Sequence, residues 1–219
     1  MGRAKYSADE RRTVMSAFIK AAAQIIEHEG VNGLSIRKVA NDSGYSSATL
    51  YLYFEDLSEL ASLASVSYLT DYISELKPAK LEQEDARTCY LGTWELFCKH
   101  AFVKPQVFKQ LFFPKGEDRN VGNIVKDYYS IFPRELDNID GTMLTMLTRG
   151  TLLERNMAVL RPLAQQMELS KESTEIINEL TVASFRNSLH KACESRSVNT
   201  QELTDKFMTG ATFLLDHYN

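Results

Sequence analysis

Residues 34 to 54, LSIRKVANDSGYSSATLYLYF, constrain the fold more than any other segment of the chain. Ile36, Val39 and Ala40 share one helical face, and Gly44 then breaks the pattern. Ser46 or Ser47 can cap a second helix, whose phase turns Leu50, Tyr51 and Phe54 inward and its hydroxyls outward. Gly44 suits a turn that needs positive φ. Helix, tight turn and short polar-faced helix make a helix-turn-helix, a motif whose second helix can enter a DNA major groove.

The flanking segments are helical as well. Ser7-x-x-Glu10 is a capping box that predicts a helix from Ala8, with Val14, Phe18, Ala21, Ala22, Ile25 and Ile26 on its apolar face. Gly30 ends it, and Ser35 caps the helix that runs to Ser43. The third helix is predicted over Ser47 to Tyr53. Asp56-x-x-Glu59 opens a fourth, predicted to run to Lys77. Beyond it no strand pattern occurs. Helices are predicted over 82–102, from Pro105 past Phe112, over 119–138, from Thr142 to Leu160, from Ser170 to Glu194, and from a Thr200 cap to Tyr218. The expected fold class is all-α: a DNA-binding domain over 1–55 and a helical ligand-binding and dimerisation domain over 56–219.

Composition excludes several classes. Apolar residues make up 44% of the 219, too many for a disordered chain. No apolar run approaches the roughly 20 residues that span a bilayer, and MGRAKYSADERR lacks the apolar core of a signal peptide. A soluble cytoplasmic protein without membrane contact is expected. The three cysteines, Cys89, Cys98 and Cys193, are too few and odd in number for a disulfide framework. Charge is uneven. Residues 1–54 hold seven basic and five acidic side chains and so carry +2, while the whole chain carries −4. No metal-ligand spacing, Gly-rich phosphate loop or nucleophile elbow is present, and Cys98-x-His100 is too short and isolated for zinc. An enzyme, a metal site and a cofactor are not expected.

At fixed spacing, Gly30, Ser35-Ile36-Arg37-Lys38-Val39-Ala40, Ser43-Gly44-Tyr45-Ser46 and Thr49-Leu50-Tyr51-Leu52-Tyr53-Phe54 resemble the N-terminal pattern of the TetR family of bacterial transcriptional regulators. The resemblance covers residues 8 to about 64 in detail. It implies a transcriptional regulator, most simply a repressor, that binds a palindromic double-stranded DNA operator as a homodimer. Residues 171–218 would supply the dimer, with Ile176, Leu180, Ala183, Phe185 and Leu189 on one face. Leu203, Phe207, Ala211, Leu214 and Leu215 would form the other. One departure is Leu57, which stands where the family pattern commonly has a lysine that contacts a phosphate. The start of the fourth helix can still present backbone N–H groups to a phosphate, and Arg3, Lys5, Arg11 and Arg12 can serve as a basic arm.

The DNA-contacting residues expected are Arg37, Lys38, Tyr45, Ser46, Ser47, Ala48, Thr49, Tyr51, Leu52 and Tyr53. The recognition helix carries no charge, so guanine reading by arginine is absent from it and Arg37 is the best edge reader. Tyr45, Tyr51 and Tyr53 can donate to phosphates. Residues 94–132 hold nine aromatics where the chain average of 10% predicts about four. With the methionines that follow, they suit an adaptable apolar cavity of the kind the resemblance implies. Its expected lining is Trp94, Phe97, His100, Phe108, Phe112, Tyr128, Tyr129, Met146 and Arg149, taking a small apolar or aromatic effector. Two alternatives stand beside this reading: an architectural DNA-binding protein without an effector, and a thiol redox sensor using Cys89 or Cys98.

Overall fold

A computed structural model describes residues 7–79, 84–113, 121–139, 141–194 and 199–217. Ser7 starts the first helix. Its hydroxyl accepts from the Glu10 N–H at 3.2 Å, and the Glu10 carboxylate accepts from the Ser7 N–H at 2.7 Å. Helix α1 (Ala8–Glu29) buries Val14, Phe18, Ala21, Ala22, Ile25 and Ile26 on one stripe. Helix α2 (Ile36–Ser43) is capped by Ser35, whose hydroxyl accepts from the Lys38 N–H at 3.3 Å. Gly44 then takes φ 75° and ψ 13°, and Ser46 caps α3 (Ser47–Leu50).

Helix α3 is shorter than the sequence predicts. After one α-turn the chain tightens, with the Leu52 and Tyr53 N–H groups bonding three residues back. Leu50 and Phe54, four apart, are buried. Tyr51 is 55% exposed. One step round the helix from Leu50 carries it about 100° off the buried face, so its expected inward placement is corrected.

The predicted helix from Asp56 to Lys77 is two helices, α4 (Leu57–Val66) and α5 (Leu69–Ala79). Serine hydroxyls loosen the ladder between them. Ser62, Ser65 and Ser67 each donate to a carbonyl three or four residues earlier, and the Ser67 and Tyr68 N–H groups bond three residues back. The body continues with α6 (Ala86–Val103), α7 (Pro105–Phe112), α8 (Val121–Ile131), α9 (Gly141–Thr148), α10 (Leu152–Gln166), α11 (Lys171–Glu194) and α12 (Thr200–His217). Among the described residues there is no strand.

The predicted single helix from Thr142 to Leu160 is divided into α9 and α10. A second capping box divides it: Thr151 accepts from the Glu154 N–H at 3.1 Å, and Glu154 accepts from the Thr151 N–H at 3.0 Å. Asn199, rather than Thr200, caps α12, accepting from the Glu202 N–H at 3.2 Å. Helix α11 keeps its predicted bounds and α12 is described to His217, the predicted end at Tyr218 lying outside the described residues, but part of each expected dimer face is spent within the subunit. Phe185, Leu189, Phe207, Ala211 and Leu215 are buried in its own core. Leu180 and Phe213 are exposed.

The layout is an N-terminal helix-turn-helix domain followed by a C-terminal helical domain, and α4 joins them. Every residue from Leu60 to Val66 is buried. Helix α4 packs on α1 on one side and on α7 and α8 on the other. Polar contacts cross the same boundary. The Tyr68 hydroxyl donates to the Ala23 carbonyl at 3.3 Å, and Glu27 of α1 pairs with Lys104. On the body side of it, Glu135 accepts from Tyr128 at 2.9 Å and from Thr70 at 3.0 Å. Lys20 of α1 lies 5.9 Å from the centre of the Phe132 ring and pulls electrostatically on Glu135.

A Cβ at Gly44 would meet nothing within 4 Å, so Gly44→Ala meets only the left-handed backbone penalty. It should lower stability by about 1–2 kcal/mol in a denaturant titration, with Gly44→Asn losing less. Burial raises the Glu135 carboxyl above its ordinary value of 4.5, against the hydrogen bonds from Tyr128 and Thr70. The fold therefore holds this proton more tightly than the unfolded chain does. Glu135 favours folding most at low pH, and that contribution is lost as pH rises from about 4.5 through the raised value. Glu135→Gln should flatten the pH dependence of the thermal midpoint in that window.

Candidate functional site

The helix-turn-helix presents a solvent face of Arg37, Ser46, Ser47, Ala48, Tyr51 and Leu52. Thr49, Tyr45 and Tyr53 are half-buried. Ser46 and Thr49 satisfy each other: their hydroxyls lie 2.9 Å apart, and Ser46 also accepts from the Thr49 N–H at 3.1 Å. Tyr45 packs its ring 5.5 Å from that of Phe18. The two cations of α2 differ. Lys38 folds back onto Glu29 and the Gly33 carbonyl, the latter at 3.2 Å. Arg37 projects into solvent with no ion pair among the described residues. The start of α1 reaches the same face, with the Arg11 guanidinium 5.4 Å from the centre of the Tyr53 ring. Arg12 pairs with Asp9 at 3.2 Å. Arg3 and Lys5 of the expected basic arm lie outside the described residues.

At the start of α4 the backbone expected to seat a phosphate is partly engaged by carboxylates. The Glu59 N–H is taken by the Asp56 carboxylate at 2.7 Å, and the Glu55 N–H by the Glu59 carboxylate at 2.5 Å. Three carboxylates there oppose an anion. Leu57 is half-buried and packs against the core.

In the body, Phe97 is the hub of an aromatic cluster. Its ring centre lies 5.2–5.8 Å from those of Tyr72, Trp94, Phe108, Phe112 and Phe185. A cavity of about 20 Å³ opens beside it, lined by Tyr72, Thr93, Trp94, Phe97, Met146, Leu152, Arg155, Asn156 and Val159. Three of the expected lining residues, Trp94, Phe97 and Met146, border this cavity. Phe108 and Phe112 pack behind Phe97. Tyr128 and Tyr129 stack edge-on at 5.4 Å, and Tyr128 is committed to Glu135. His100 does not line the cavity: its Nε2 stands 3.5 Å from Glu75. Arg149 is exposed and contributes only its backbone carbonyl.

The cavity's cation is Arg155, which the sequence reading missed. Its side chain is 2% exposed. Nε donates to the Arg149 carbonyl at 2.9 Å, and the guanidinium sits 5.2 Å from the centre of the Phe112 ring. The signal was present in the phase of α10. Leu152, Arg155, Asn156, Val159, Leu160 and Leu163 form one helical stripe, and an arginine inside an apolar stripe marks a buried charge. Asn156 accepts from the Trp94 indole N–H at 2.8 Å and donates to the Asn178 carbonyl at 3.4 Å.

Two of the three thiols, Cys98 and Cys193, are poorly disposed to redox chemistry. Burial pushes Cys98 well above the ordinary thiol range, and burial also raises Cys193. Among the described residues, no group of His, Cys, Asp and Glu could hold a metal, and no helix is long and apolar enough to cross a membrane.

Comparison with known proteins agrees with this geometry. The sequence pattern of the bacterial regulatory proteins, tetR family, matches residues 18–63, the segment from mid-α1 into α4. No curated protein matches the chain in sequence. Among solved structures, it is similar to FadR of Thermus thermophilus, a TetR-family transcriptional repressor in complex with lauroyl-CoA. That likeness has 12% identity, covers 90% of this chain and 93% of that one, and has a TM-score of 0.61. RolR in complex with resorcinol is similar at 13% identity, with coverage of 97% and 96% and a TM-score of 0.61. The fatty acid degradation regulator FadR of Bacillus halodurans is similar at 13% identity, with coverage of 97% for both chains and a TM-score of 0.52. At these identities the likenesses carry the fold, and the matched segment carries the family. Residues 18–63 thus match the tetR family of bacterial regulatory proteins, and the chain as a whole shares the fold of solved tetR-family structures.

Proposed function

We propose that this transcriptional regulator is a ligand-responsive repressor that binds a palindromic operator as a homodimer and releases it when a small apolar or aromatic effector enters the body. The observation that carries the reading is the apolar cavity beside Phe97. Its wall includes Tyr72 of α5, and the aromatic cluster around it extends to Phe112 of α7, which packs on α4. Parting those walls displaces the helix that joins body to head. An effector that favours the parted form lowers DNA affinity by its differential binding to the two forms. The ligands held by the FadR and RolR structures support a ligand site in a body of this fold.

In this reading the head ends at residue 55, and α4 belongs to the body while packing on the head. The dimer forms through residues 171–218 on the surface that α11 and α12 leave open. Leu180 and Phe213 anchor it, flanked by Ala183 and the half-buried Ile176, Leu203 and Leu214. A Cβ at Gly210 would meet nothing within 4 Å, so a partner helix can approach closely there. On DNA, Arg37 reads a base edge, while Ser47, Ala48 and Leu52 contact the groove. Lys38 contributes little, because its ammonium is held by Glu29.

The test selects bound sites from random DNA and measures the mass of the protein in solution. The expected sites are inverted repeats with half-sites about one helical turn apart or slightly more, and the expected mass is that of a dimer. Arg37→Ala should cost about 1–3 kcal/mol and relax one base position in each half-site. Lys38→Ala should cost less. A monomer, or selected sites without two-fold symmetry, would sink the reading. A symmetric site bound by a dimer whose cavity accepts no ligand would instead favour the architectural role.

A further inference from the structure

Arg155 is a cation without a counter-ion in the interior of the body. It is 2% exposed, and its Nη2 has no hydrogen-bond partner. Among the described residues no salt bridge reaches it. Glu154, the adjacent carboxylate, is engaged at 3.0 Å with both the N–H and the hydroxyl of Thr151. The remaining groups within electrostatic reach are the phenols of Tyr72 and Tyr129, and the Tyr129 hydroxyl is itself buried without a hydrogen-bond partner. Burying an unpaired charge is costly, and a guanidinium stays protonated in proteins. The Phe112 ring and one backbone carbonyl compensate only in part.

This cation borders the cavity whose other walls are mainly apolar. We propose that the effector carries an anionic head, a carboxylate or its equivalent, that seats on the Arg155 guanidinium while its apolar part lies against Trp94, Phe97 and Met146. The assignment rests on the ligand-responsive reading above and adds the ligand's charge to it. A planar guanidinium offers paired N–H donors that match a carboxylate, and the dry surroundings strengthen the pairing. The cavity of about 20 Å³ holds roughly one water, so the ligand must part its walls. Met146 of α9 is the adaptable side of that wall.

The experiment uses the full chain and calorimetric titration. The probes are octanoate and phenylacetate, each set against its neutral primary amide. In the wild-type protein at least one acid should bind about tenfold or more tighter than its amide, the scale of a hydrogen bond between charged groups. Which acid shows the preference separates an alkyl from an aryl tail. Arg155→Met should bring acid and amide to within about twofold. Arg155→Lys should keep part of the preference, and it serves as the second variant should the methionine protein not fold. Amides that bind as tightly as the acids would overturn the anionic assignment and leave the cavity reading standing. So would an acid preference undiminished in Arg155→Met. Binding of neither acids nor amides would overturn both.

Discussion

Helix α4 has no face left for solvent along most of its length. Seven successive buried residues, Leu60 to Val66, mean that α1, α7 and α8 must all be in place for it to exist as a helix. An isolated helix of this length is marginal in water. Head and body therefore share one packed element. The serines among these residues meet the demand that buried polar groups be bonded by donating to carbonyls of their own helix. Those bonds also weaken the ladder where α4 gives way to α5, so the element is rigid in its middle and bent at its far end.

The polar contacts across the same boundary are of a different kind. Tyr68 to Ala23 and Glu27 to Lys104 are directional, and both are partly open to water. Exposed ion pairs of this sort add little stability. They fix orientation: a small rotation of the head breaks them together while the apolar contacts of α4 slide. The body shows a related division of labour. Its aromatic hub packs densely around Phe97, whereas the side facing Met146 and Arg155 is left with a void and an unpaired charge.

Much of this architecture was legible in the residues, because the signals were local. The Ser7 and Asp56 caps, the Ser35 cap and the Gly44 turn each declare themselves within four residues, and each forms in the structure. The Thr151-x-x-Glu154 box is equally local, but the Leu- and Met-rich stretch around it reads as one continuous helix. Tyr51 was misplaced because α3 is too short for a full apolar stripe to settle its phase. Lys38 and Arg155 were illegible for another reason. The partner of Lys38 lies nine residues back on α1, and the isolation of Arg155 is set by helices distant in sequence. Aromatic enrichment pointed to the right region of the chain, and it could not say that Arg155 rather than Arg149 turns inward.

Trp94 is the chain's single tryptophan, and it stands in the cavity wall with its indole N–H bonded to Asn156 at 2.8 Å. The head contains none. Tryptophan emission from this protein thus originates at one interior point, shielded from water and outside the helix-turn-helix. A change in its colour or intensity reports solvent or a guest arriving at that point. Events on the helix-turn-helix surface reach the fluorophore only through motion transmitted across the contacts between head and body, α4 chief among them. The molecule is thereby labelled by its own sequence, with an optical signal that separates what happens inside from what happens on its DNA-facing end.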